Sequence, residues 1–113
     1  MNMDNNIIQT IDKAISEIEE YLEKYNMPKE GWLVNGHIKV LKLLKNEILQ
    51  NKLEINERVL RAFRDVSSIT ALHYEESIFH DSVFKVYDEL NAYAPDFKYL
   101  NPLRMDFGKG NPI

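Results

Sequence analysis

"VSSITALHYEESIFHDSVF", residues 66–84, decides how many helices this chain has. Apolar residues at helical spacing approach it from both sides, so the helix either persists through His73 or breaks. Serine and threonine hydroxyls compete for backbone groups, and β-branched residues lose rotamer freedom in a helix. "VSSITAL" is therefore poor helix material, and a bend or an end is expected near Leu72. Ser77 can then cap a fresh helix.

Working outward, Val59, Ala62, Phe63, Val66, Ile69 and Thr70 mark the buried face of the helix before the break. Asn56 is its expected N-cap, and Arg61 stands four residues ahead of Asp65 as an ion-pair partner. After the break, Phe79, Val83, Val86, Tyr87, Leu90 and Ala94 trace another helix that Pro95 limits. Upstream, Ile7, Ile11, Ile15, Ile18, Leu22 and Tyr25 fill an arc of about 80° on the first helix. Asp4 or Asn5 is its expected cap, and "NMPKEG" stops it. A further helix is expected over 31–51, with Leu33, Val40, Leu41, Leu44 and Ile48 buried and His37 half-buried among them. "NKLEINE" ends it.

The expected fold is thus an all-α bundle of four helices, mostly antiparallel, in a single domain over 1–113. The tail, 95–113, is largely non-helical. Its turn signals alternate with Phe97, Tyr99, Leu100, Leu103, Met105 and Phe107. Such a tail is expected to pack back on the core, the other reading being an arm that docks on a partner. Strand-type alternation is confined to a faint trace at 103–107.

Composition removes whole classes of function. A chain of 113 residues is long enough for one core. It has no cysteine, which excludes disulfides and thiolate chemistry. The N-terminus lacks a basic segment ahead of a continuous apolar run, and no stretch approaches the roughly 18 apolar residues of a spanning helix. A cytoplasmic protein without membrane association is expected. There is no phosphate loop, nucleophile elbow or HExxH. Glu75 and Glu76 are adjacent and point apart on a helix, so they make no acid/base pair. No enzyme, cofactor or metal is expected. His73, Glu76 and His80 would share one face only if the helix persisted from His73.

Charge alternates by segment. Residues 1–28 carry six acids against two bases, 29–64 eight bases against four acids, and 65–94 six acids against one base. Lys39, Lys42, Lys45, Arg58, Arg61 and Arg64 raise nucleic acid as a partner. However, the flanking acidic helices would repel a phosphate backbone, so direct binding is not expected. The simpler account is a basic middle that complements acidic outer helices. On the first helix, Lys13, Glu17, Glu20 and Lys24 form a self-compensating stripe. Asp12, Ser16, Glu19 and Glu23 form another that nothing on that helix neutralises.

From Gly31 and Trp32 to about Tyr93 the chain resembles small helical immunity proteins of bacterial polymorphic and contact-dependent toxin systems. The residues that carry the likeness are Trp32 opening a helix, "RVLRAFRDVSSI" (58–69), "ESIFHDSVF" (76–84) and "VYDELNAY" (86–93). Ser77 to Phe84 resembles a small-polar turn leading into an "S-h-x-D-h-h" pattern, with Asp81 as the acid. The resemblance implies a protein that neutralises a cognate toxin by binding it, often a basic nuclease domain.

Glu75, Glu76, Asp81 and Phe84 are the expected partner-facing residues, extended by Asp88 and Glu89, while Phe79 and Val83 belong to the core. Phe84 lies off the apolar arc beside acids, which marks either a binding surface or a site the tail covers. Asp12, Glu19 and Glu23 form a second candidate patch. The alternative function is a homodimeric helical adaptor or regulator without catalytic activity, joined through Phe84 and the tail aromatics.

Overall fold

The computed structural model describes residues 3–25, 31–50 and 55–94. Four helices account for most of them: α1 Met3–Tyr25, α2 Gly31–Leu49, α3 Glu57–His73 and α4 His80–Tyr93. The tail, with its expected packing and the trace at 103–107, lies outside the described residues. So do Asn51 and the side chains of Tyr25 and Leu33.

Hydrophobic spacing explains each helix. On α1, Ile7, Ile11, Ile15 and Ile18 are buried, joined by Ala14 and Thr10, which that spacing had left out. Thr10 remains satisfied because its hydroxyl donates to the Asn6 carbonyl at 2.9 Å. The helix already contains Asp4 and Asn5, so neither is the cap in front of it. On α2, Val34, His37, Ile38, Leu41, Leu44 and Ile48 are buried. Val40 is only half-buried, and His37 is buried completely rather than half. The α2 core stripe is therefore rotated toward Val34 and Ile38.

Asn56 caps α3 as expected, its side-chain oxygen accepting from the Arg58 N–H at 2.8 Å. The α3 core contains Leu60, Phe63, Val66, Ser67, Ser68 and Thr70, whereas Val59, Ala62 and Ile69 are half-buried. Helix survives "VSSIT" because its hydroxyls turn onto their own helix. Ser67 donates to the Phe63 carbonyl at 3.0 Å and Thr70 to that of Val66 at 2.7 Å. Bonded this way, they no longer compete with the ladder in a way that ends it. The stop comes at His73, one residue past Leu72. On α4, Val83, Val86, Tyr87 and Leu90 are buried together with Ser82.

The helices form a ring in which α1 packs on α2 and α4, and α3 packs on the same two. Lys45 meets Asp12, while Asn35 to Lys42 lie level with Glu19 to Glu23, so α1 and α2 run antiparallel. Ser82 meets Glu17 and Phe79 meets Tyr21, which makes α4 antiparallel to α1. Asn56 meets Glu47 and Tyr74 meets His37, which does the same for α3 and α2. The expected antiparallel four-helix bundle is the observed fold.

Charge complementation is real across one seam. Lys45 of α2 donates to Asp12 of α1 at 2.7 Å, so the α1 stripe that nothing on its own helix neutralises finds a counter-charge on the basic neighbour. On α3, Arg61 reaches back to Glu57 at 2.7 Å rather than forward to Asp65. Asp65 contacts Arg64 instead, at 3.4 Å. Glu17 also departs from its expected stripe by accepting a 2.6 Å hydrogen bond from Ser82 of α4.

Candidate protein interface

The break between α3 and α4 makes a compact corner. The Tyr74 N–H donates to the Thr70 carbonyl at 3.0 Å and closes α3. Ser77 then donates twice to the Tyr74 carbonyl, through its N–H at 3.0 Å and its hydroxyl at 2.8 Å. Ser77 thus closes the turn and does not cap α4. That helix begins at His80 behind Phe79, which offers no side-chain cap.

Two aromatic residues pin the corner to the core. Phe79 is 0% exposed and Tyr74 only 7%. Phe79 meets Tyr21 edge-on at 5.2 Å and lies tilted against Tyr74 at 5.6 Å, and His37 stands edge-on 6.2 Å from both. Edge-to-face pairs of this kind add stabilisation beyond the area they bury. The corner is thus held against α1 through Tyr21 and against α2 through His37.

With Tyr74 and Phe79 turned inward, their neighbours are turned outward. Glu75, Glu76 and Asp81 are exposed, and the Asp81 side chain is fully so. Leu72 and Ile78 flank these acids at 55% and 44% exposure. Neither was expected as a site residue. The signal that finds them is the break itself, which removes the helical neighbours that would have covered them.

The remaining expected residues divide. Phe84 is half-buried against the core, with its ring 4.9 Å from His80 and 5.7 Å from Tyr87. His80 Nδ1 lies 3.0 Å from the Asp81 carboxylate. Asp88 is exposed on the same stripe as Asp81, but Lys85 stands exposed between them. Glu89 is half-buried and its Oε1 is shielded from solvent without a hydrogen-bond partner among the described residues. The acidic character is therefore concentrated at Glu75, Glu76 and Asp81. The helical span that would have grouped His73, Glu76 and His80 is interrupted after His73. Among the described residues no three His, Asp or Glu side chains converge as metal ligands.

The second patch lies on the opposite side of α1 from α4. Asp12 is paired with Lys45, while Glu19 and Glu23 face Lys39 and Lys42 across a groove of about 940 Å³. The acids of α1 thus share their face with three lysines. No described helix is long and apolar enough to cross a membrane. No known family model, characterised protein or solved structure matches this chain.

Proposed function

We propose that this chain is an immunity protein that binds and neutralises a cognate bacterial toxin, through the acidic corner between α3 and α4. The reading gives it no catalytic activity and places it in the cytoplasm, where it would meet the toxin. One observation carries it: three exposed carboxylates and two exposed aliphatic side chains sit on and beside a turn that Tyr74 and Phe79 anchor in the core. A rigid apolar centre supplies affinity with little ordering cost, and surrounding charge steers a partner of opposite sign. The partner chemistry this fits is a basic protein domain, of the kind found in nucleases. The likeness of residues 76–84 to immunity proteins supports the same segment.

The experiment is protection of cells that produce the toxin encoded by a neighbouring reading frame. Wild-type protein should protect, and Glu76→Lys/Asp81→Lys should not, with circular dichroism unchanged. Full protection by the double variant would remove the corner from the interface. Loss of protection in Glu19→Lys/Glu23→Lys alone would move the interface to the α1 patch.

A further inference from the structure

The seam between α1 and α2 is closed at one level and open at another. At Asp12 and Lys45 it is bridged by a 2.7 Å ion pair. Farther along, Glu19 and Glu23 on α1 and Lys39 and Lys42 on α2 rim a groove floored by Leu22 and Ile38. These four charges close no ion pair among the described residues, although they lie level with one another.

Gly36 explains why the seam stays open, and also poses a question. It stands inside α2, where glycine costs about 1 kcal/mol relative to alanine. A Cβ added there would meet nothing within 4 Å. Packing among the described residues therefore gives no reason for a glycine. Close approach from outside the chain does.

We infer that this face joins two copies of the chain about a two-fold axis that runs along the groove, parallel to the helices. That axis lays α1 of each copy over α2 of the other at the same level. Glu19 and Glu23 then face Lys39 and Lys42 of the second copy twice over, and the two Leu22–Ile38 floors meet with Gly36 between them. The other two-fold axis in the contact plane, perpendicular to the helices, would set acid on acid and lysine on lysine. An isologous contact must be self-complementary, and only the first axis makes this surface so. The inference is independent of the toxin-binding corner, and either can fail alone.

Sedimentation velocity on the full chain over a wide range of concentration tests it. Wild-type protein should shift from one chain toward two as concentration rises. Glu19→Lys/Glu23→Lys makes the rim wholly basic, and Lys39→Glu/Lys42→Glu makes it wholly acidic. Each alone should be a folded monomer, and an equimolar mixture of the two should regain the dimer. Gly36→Leu keeps the charges, suits a helix and fills the groove, so it should also be a monomer with no loss of helix. A wild-type chain that stays monomeric throughout would overturn the inference. So would charge reversals that dimerise as well as wild type, or a mixture that remains monomeric.

Discussion

Phe79 joins the folded core to the proposed interface. It is fully buried against Tyr21 and Tyr74, yet it adjoins Ile78 and precedes Asp81 by two residues. Replacing a buried phenylalanine with alanine removes its transfer energy and leaves a cavity. Phe79→Ala should therefore destabilise the chain by about 3–5 kcal/mol in urea denaturation. Gly36 should behave in the opposite way. Gly36→Ala in dilute protein should gain about 0.5–1 kcal/mol, since none of the described residues would crowd the added methyl. Core phenylalanines at helical spacing are legible in a sequence, and Phe79 and Val83 were placed correctly by it. Ile78 was not, because exposure at a corner depends on where the chain turns.

At the level of elements, the helices follow from apolar period and caps, with Asn56 the clearest example. Asn56→Ala should cost about 1 kcal/mol, and Asn56→Ser should recover most of it, by the same denaturation measurement. The boundaries were legible where a polar residue had a single local task. They were less so where one side chain had more than one partner open to it. The α3 end expected near Leu72 falls at His73, with Thr70 and Ser67 satisfied inside the helix. Arg61 pairs backward with Glu57, since an acid four residues ahead of a base suits the helix dipole better than the reverse order that Arg61–Asp65 would need. The rotation of the α2 stripe toward Val34 and Ile38 is likewise set by its neighbours in the ring. Glu17 is drawn from its own helix to Ser82, a contact between residues 65 apart in the chain. Contacts of that range have no local signature.

On the scale of the whole molecule, alternation of charge along the chain becomes two different surfaces. Across α1 and α2 opposite charges meet, so that face carries both signs. At the α3–α4 corner three exposed acids stand beside Leu72 and Ile78, with His80 against Asp81. The candidate site was thus legible in its carboxylates, whereas its aliphatic part emerged only from the turn. Reversing exposed acids should leave the melting temperature nearly unchanged, because they contribute little to folding. Reversing the same acids within an interface is costly. The most direct test is the affinity of the purified toxin domain for wild-type chain and for Glu76→Lys/Asp81→Lys, by titration calorimetry. Weakening of about thirtyfold or more, with melting unchanged, is the predicted result. An unchanged dissociation constant in the folded double variant would contradict a toxin interface at this corner.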